Sequence, residues 1–334
     1  MNKQFSMDET LLDSSLTLRT AHWADLNAVA KLTHDVAEME GDSSFVLTAE
    51  ELANEWKDED FNVERDVFVV ETRDGRVVGS EEFYSEQDHC TFKADGCVHP
   101  EFRGMGIGTS LLEKVDERAQ AEMALCRTDV RVRIQSMINN KDETAHALLR
   151  AEGYSPIRYY WRMETKLQQA PPVMIFPDDI EVRPFIKEEH AIAVWQANNE
   201  VFRDHWGSHD STYEDWAHAK FGNPNFDPTL WMVAWDGDQV AGFSQNRFRK
   251  GIGWIGTIGV RRPWRNKGLG LALLQHSFGE FYRRGMNTIG LGVDAENPTG
   301  ATRLYKKAGM HAASEFVTYE KELRPGRELE EHDE

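Results

Sequence analysis

At 334 residues the chain is long enough for two ordinary domains, each able to bury its own core. A formal charge of −19 opposes any general attraction to nucleic acid or to anionic membrane surfaces, both of which need basic protein surface. The same charge suits a cationic partner and equally suits plain solubility. The three cysteines, Cys90, Cys97 and Cys126, are odd in number and lack CxxC spacing, so neither a disulfide framework nor a zinc site is indicated and a reducing cytoplasm fits. Residues Met1 to Ser15 show no basic start followed by an apolar stretch, and no run approaches bilayer-crossing length; a cytoplasmic location is expected.

The first unit opens with Leu16-Thr17-Leu18-Arg19 as a strand, then an amphipathic helix through Leu26, Val29, Ala30 and Leu32, and a more polar helical stretch from Ala49 to Trp56. Val67-Phe68-Val69-Val70 and Val77-Val78-Gly79 flank Asp74-Gly75, a hairpin signal because glycine accepts positive φ. A further strand leads into a glycine loop at Arg103 and a helix from Thr109 to Met123, with Leu111, Leu112, Val115 and Ala119 on one face. Val130 to Met137 reads as a strand, and a helix from Glu143 to Ala151 ends at Gly153. Gln168-Gln169-Ala170-Pro171-Pro172 removes backbone donors and disfavours helix, which marks a linker. The order then repeats from Ile180-Glu181-Val182-Arg183, with Asp236-Gly237 taking the place of Asp74-Gly75. After Leu323 the chain is acidic and almost without apolar residues, the composition of a disordered tail. The expected organisation is an arm over 1–15, a domain over 16–167, a linker over 168–179, a second domain over 180–323 and a tail over 324–334.

Two loops carry the chemistry. Arg265-Asn266-Lys267-Gly268-Leu269-Gly270 lies between the strand-like Trp254 to Val260 and an apolar helix pattern from Leu271, and Arg103-Gly104-Met105-Gly106-Ile107-Gly108 is an earlier copy. The offset of 162 that carries Arg103 onto Arg265 also carries Val98 onto Val260, Leu111 onto Leu273 and Leu112 onto Leu274, so the chain is a tandem duplication. Glycines let the backbone turn tightly against a ligand, free N–H groups at a helix start point at an anion, and the helix dipole adds attraction; such loops favour phosphate. Neither loop is followed by the Gly-Lys-Ser or Gly-Lys-Thr of a nucleotide P-loop, and neither fits the dinucleotide pattern G-x-G-x-x-G.

Both loops resemble the Arg/Gln-x-x-Gly-x-Gly/Ala signature of the GNAT superfamily of N-acetyltransferases and match it at every position. The resemblance extends to Val293-Asp294-Ala295-Glu296-Asn297-Pro298, followed by Ala301, Leu304-Tyr305 and Ala308-Gly309-Met310. It implies a mixed α/β (α+β) fold of two tandem GNAT-like domains, each a twisted, mostly antiparallel sheet flanked by helices. In each, the fourth and fifth strands would splay to admit a pantetheine arm. It also implies acetyl-coenzyme A as cosubstrate, acyl transfer to a small-molecule or peptide primary amine, and no metal. Cofactor contacts would come from Ile258, Gly259, Val260, Arg265, Asn266, Lys267, Gly268, Leu269, Gly270, Leu271 and Asn297 in the second domain. In the first they would come from Cys97, Val98, Arg103, Gly104, Met105, Gly106, Ile107, Gly108 and Thr109.

Acetyl transfer from a thioester needs a held donor, a neutral amine, a hydrogen bond to the developing oxyanion and a proton for the departing thiolate. Tyr305 is the candidate general acid, because a phenol keeps its proton at neutral pH. The plainer reading makes Leu304, Tyr305 and Ala308 the packed face of a short helix. Aligned at Gly153 and Gly309, the first domain has Leu149 at that place, which cannot donate, so it is expected to be weak or silent. No carboxylate stands out as a base; Asp294 can orient water or simply cap a turn. Asp204, His205 and Glu214 are candidates on the substrate side, and Phe202 and Trp206 read as core anchors. His205 and His209 are four apart, but Gly207 interrupts the helix and no third ligand follows, so no metal is expected. Two alternatives stay open: a non-catalytic acyl-coenzyme A sensor, and a transferase of this fold using another acyl donor.

Overall fold

The computed structural model describes residues 12–41, 46–58, 60–86, 88–203, 205–206, 210–297 and 299–328. Asp204, His209 and Pro298 lie outside the described residues. The chain divides into two compact units, Met1–Ile157 with Val317–Glu334, and Arg158–Phe316.

Unit 1 contains β1 (Leu16–Thr20), α1 (Leu26–Glu40), α2 (Ala49–Glu55), α3 (Val63–Asp66), β2 (Val67–Thr72), β3 (Val77–Ser85), β4 (Thr91–Val98), α4 (Ile107–Glu122), β5 (Val132–Asn139) and α5 (Glu143–Ala151). β6 (Ser155–Lys166) carries the chain into unit 2, which holds β7 (Glu181–Pro184), α6 (Lys187–Phe202), α7 (Tyr213–Phe221), β8 (Met232–Asp236), β9 (Gln239–Arg249), β10 (Ile252–Val260), α8 (Leu269–Arg283), β11 (Thr288–Asp294) and α9 (Ala301–Lys307). The last strand, β12 (His311–Arg324), returns to unit 1 from Val317 onward. The sheet of unit 1 runs β1-β2-β3-β4-β5-β12 and that of unit 2 runs β6-β11-β10-β9-β8-β7. β4–β5 and β10–β11 pair parallel, while β1–β2, β2–β3, β3–β4, β7–β8, β8–β9, β9–β10 and β6–β11 pair antiparallel.

Alternation along the strands builds two cores per sheet. On β2, Val67 and Val69 face Val29 and Leu32 of α1 and Trp56 at the end of α2, while Phe68 and Val70 join Leu111, Val115 and Ile134 on the other face. Val317 and Tyr319 of β12 are buried in that second cluster, so the end of the chain completes the core of unit 1. In unit 2, Val233 and Trp235 pack with α6 and α7, and Leu274, Phe278 and Phe281 of α8 pack with Ile255 and Leu291. The helix ends follow local chemistry: Thr48 and Glu51 form a reciprocal cap on α2, and Thr212 and Asp142 cap α7 and α5.

Two expectations are corrected. Cys90 and Cys126 form a disulfide across 36 residues, with Cα atoms 5.2 Å apart, leaving Cys97 as the free thiol. An odd count only requires one leftover; pairing depends on which cysteines the turn before β4 and the end of α4 bring together. The tail is ordered through its first residues: Arg131 N–H donates to the Arg327 carbonyl at 2.9 Å, and Arg327 pairs with Asp129 at 2.8 Å. Charged residues there find counterions on the β5 side of unit 1, which composition alone does not reveal.

Gly253 begins the parallel pairing of β10, and a Cβ placed on it would lie 2.5 to 2.8 Å from atoms of the buried Phe281 ring. Gly253→Ala is expected to destabilise unit 2 by about 1–3 kcal/mol through overpacking, read as a lower denaturation midpoint; an unchanged midpoint contradicts that close approach.

Candidate functional site

The site in unit 2 starts from a strand that leaves its neighbour. β10 pairs with β11 only from Gly253↔Ile289 to Ile255↔Leu291, yet it continues beside β9 as far as Val260↔Gly242. The β9 register slips between Ile255 and Thr257, a bulge centred on the exposed Gly256. A bulge adds a residue to one strand, bends it and re-aims the backbone. The stretch Thr257–Val260 therefore carries backbone polar groups on the side no longer paired with β11, which is where Ile258, Gly259 and Val260 lie. Unit 1 shows the same parting: β4 pairs with β5 only from Thr91↔Arg133 to Ala94↔Ser136. Its register against β3 is unbroken from Gly79↔Val98 to Ser85↔Phe92, so β4 lacks the bulge.

Both glycine loops end at a helix start. Asn266 and Gly268 have φ of 62° and 85°, and their counterparts Gly104 and Gly106 have 78° and 77°. The repeat thus conserves two left-handed residues in each loop, one of them asparagine, which tolerates that region better than most. Gly268 and Gly106 are the N-caps of α8 and α4 and offer no side chain to the first-turn amides. The N–H groups of Leu269, Gly270 and Leu271, and of Ile107, Gly108 and Thr109, are accordingly available to an anion at the positive end of each helix. Gly270 and Gly108 serve another purpose. A Cβ there would meet Leu304 Cδ2 at 3.3 Å or Leu148 Cδ2 at 2.6 Å, so these glycines let the following helix, α9 or α5, pack close.

The countercharges differ between the loops. Arg265 donates from Nε to the Val260 carbonyl at 3.0 Å, and Lys267 is exposed. In unit 1, Met105 stands in the place of Lys267, and Arg103 is held by Glu40 at 3.0 Å and Asp142 at 2.8 Å. Burial, followed by the charge of Asp142, raises the Glu40 pKa.

Tyr305 sits on α9 with 7% of its surface exposed, in the cluster that contains Val293, Leu291 and, at its edge, Ile258. Burial pushes its phenol up to about 12, so it stays protonated at neutral pH. Leu149 of unit 1 is buried in the core there. Asp294 is gripped by Arg158 at 2.7 Å and caps Glu296 N–H at 2.9 Å. Asn297 accepts from Thr299 N–H at 2.8 Å, and so its carbonyl oxygen shapes the turn before α9. His205 stacks edge-on against Phe202, and Glu214 is exposed in the first turn of α7.

A family profile described as "Acetyltransferase (GNAT) family" matches residues 191–310, and one described as "Acetyltransferase (GNAT) domain" matches residues 64–156. A solved structure, a GCN5-related N-acetyltransferase from Sphaerobacter thermophilus, is 35% identical with a TM-score of 0.82, covering 96% of this chain and 99% of that one. The chain belongs to the GNAT acetyltransferase family. Among curated relatives, the mycothiol acetyltransferase of Kineococcus radiotolerans is 30% identical over 231 residues, 68% of this chain and 72% of that protein. That of Catenulispora acidiphila is 28% identical over 237 residues, 68% and 71% respectively. The molecule is thus a tandem-domain GNAT N-acetyltransferase, and no helix among the described residues is long and apolar enough to cross a membrane.

Beside the bulge lies a small cavity that sequence reading missed. Lys220, Gln245, Arg247, Gly256 and Thr257 line it, with Trp231 and Phe226 as its apolar wall. Lys220 closes α7 and donates to Thr257 Oγ1 at 3.1 Å; burial, then the charge of Arg247, lowers its pKa to about 8. In sequence it is one more helix-end lysine. The available signal was Gln245 and Arg247, polar residues two apart on a strand otherwise built for a core. The equivalent place in the repeat is acidic: Asp95 stands where unit 2 has Thr257, and its β3 partner is Glu82. The buried Glu82 carboxylate accepts from Trp56 Nε1 at 2.8 Å and Tyr84 Oη at 2.6 Å.

Burial raises Glu81 to about 8, helped by the charges of Asp95 and Glu82, and raises Glu82 to about 7 against the pull of its two donors. Folded unit 1 thus holds protons that the unfolded chain releases above the ordinary value of 4.5. That stabilisation is complete below 4.5 and is lost as pH rises through 7 to 8. Unit 1 is expected to melt at a lower temperature at pH 9 than at pH 5.5 in scanning calorimetry, and Glu81→Gln should flatten this dependence. A melting temperature that rises over the same interval contradicts the assignment.

Proposed function

We propose that this N-acetyltransferase moves acetyl from acetyl-coenzyme A to a small-molecule primary amine, with the chemistry in the C-terminal repeat. The bulge where β10 parts from β11 carries this reading, because unit 1 shows the same parting without a bulge. The diphosphate is bound by the first-turn amides of α8, with Arg265 and Lys267 as countercharge. Backbone groups of Ile258, Gly259 and Val260 align the pantetheine and face the thioester oxygen. The amine nitrogen attacks the carbonyl carbon, a C–N bond forms, the C–S bond breaks, and the amine proton leaves through water. The thiolate takes its proton from Tyr305, which burial keeps in the donating form. The phenol is then restored from solvent.

The N-terminal repeat has a structural role or holds coenzyme A unproductively. Its loop arginine is committed to Glu40 and Asp142, its fourth strand is regular, and Leu149 replaces the acid. The small-molecule acceptor is supported by the relatives named as mycothiol acetyltransferases.

Tyr305→Phe is expected to lower kcat by about a hundred-fold while leaving the acetyl-coenzyme A dissociation constant near its original value. Unchanged turnover removes the acid. Gly268→Val puts a β-branched side chain at a φ of 85° and at the phosphate site. Calorimetric titration with coenzyme A should show loss of binding in unit 2, and Lys267→Met, which leaves the backbone alone, should weaken it. Full affinity in both variants rejects the loop assignment.

A further inference from the structure

The cavity beside the β10 bulge has a chemistry that specifies its occupant. Lys220 is partly buried, and its one recorded partner among the described residues is the neutral Thr257 hydroxyl. Arg247, the next cation, has its Nη1 3.4 Å from where a Gly256 Cβ would stand, so its guanidinium lies against the bulge. Among the described residues, no aspartate or glutamate lines the cavity. A partly desolvated ammonium held by a hydroxyl and set beside a second cation is costly without a counterion.

A second feature is independent of charge. Gln245 is 4% exposed, and neither its amide nitrogen nor its carbonyl oxygen has a hydrogen-bond partner among the described residues. The neighbouring Asn246 is fully engaged, with Ser277, Ser244 and the Leu230 carbonyl, so Gln245 stands out against a satisfied network. Buried side-chain amides are rarely left unpaired, and one lining a cavity marks a place where a ligand supplies the missing donor and acceptor. The cavity has a volume of about 30 Å³. That exceeds the ~10–15 Å³ one water needs and suits a small charged group.

We propose that this cavity binds the carboxylate of the acceptor, so that the amine substrate is an amino acid or an amino-acid-like molecule. Lys220 and Arg247 neutralise the carboxylate, and the Gln245 N–H donates to it. The Gln245 carbonyl oxygen remains to accept an N–H from the same molecule. Thr257, which holds Lys220, is the first residue after the bulge, so the acid group is anchored where β10 starts to turn its backbone toward the thioester. At the equivalent place unit 1 has Asp95 and Glu82, which offer a carboxylate no cation.

This inference rests on the transfer reading above, and two readouts separate them. Coenzyme A release from acetyl-coenzyme A is followed with glycine, β-alanine and glutamate against glycinamide, β-alaninamide and propylamine. Binding of the same compounds is measured by calorimetry with the full chain saturated in coenzyme A. The acids should bind and turn over at least ten-fold better than their neutral counterparts. Lys220→Met should bring the acid-to-amide ratio close to one, while Lys220→Arg keeps most of it. Selective binding of the acids without turnover leaves the anion site standing and removes the transfer reading. Turnover of amines with no preference for the acid, no binding of any acid, or a Lys220→Met loss shared equally by acids and amides overturns the carboxylate site; the last outcome makes Lys220 a base instead.

Discussion

The proposed chemistry depends on one interruption: a parallel pair of strands that stops after a few residues. Strand pairing satisfies backbone N–H and C=O groups as a matter of course, so a strand that continues without its neighbour has those groups to offer elsewhere. In unit 2 the parting of β10 from β11 after Ile255↔Leu291 coincides with the Gly256 bulge, with the adjacent cavity, and with the loop that ends at the Gly268 N-cap. Each of these is tolerable only because the helices hold the sheet from both faces. α8 buries Leu274, Phe278 and Phe281 against the paired part of β10 and leaves the unpaired part to act. Stability and chemistry divide along a single strand, with Ile255 as the last residue on the structural side.

How much of this could be read in advance depends on whether the cause was local. The hairpin at Asp74-Gly75 and its copy at Asp236-Gly237, the helix from Thr109 and the strand from Val67 were legible because glycine turns and apolar periodicity act over a few residues. The loops at Arg103 and Arg265 were legible for the same reason, and the fold class followed from their resemblance to a family. What was not legible depends on residues far apart in the chain. The Cys90–Cys126 link joins a turn to a helix end, and the final strand lends Val317 and Tyr319 to the core of the first unit. Gly270, read as a phosphate-loop glycine, also allows the approach of Leu304, a residue 34 positions later. Lys220 reaches the cavity only because α7 lies against Thr257, 37 residues further on. Asn297 and Asp294 were assigned by motif, and the structure gives their side chains turn-forming and ion-pair partners.

The two repeats also show how a duplicated fold diverges without losing its architecture. The left-handed pairs Gly104/Gly106 and Asn266/Gly268 are kept, since the turn into the helix cannot be made otherwise. The side chains that give each cleft its character are exchanged freely. Lys267 has Met105 as its counterpart, Tyr305 has Leu149, and Thr257 beside Lys220 has Asp95 beside Glu82. These changes are coupled by electrostatics. Arg103 is tied to Glu40 and Asp142, and unit 1 buries the carboxyls of Glu81 and Glu82, whose pKa values burial raises. In unit 2, Lys267 is exposed at the loop, and Lys220 and Arg247 line the cavity. An anionic cosubstrate and an anionic acceptor would then be drawn to one cleft by charges of one sign, against a molecular surface whose net charge is −19 and repels both. In the proposed reading, selectivity for unit 2 over unit 1 would arise from that local difference, and the shared fold of the two units is what makes the comparison a controlled one.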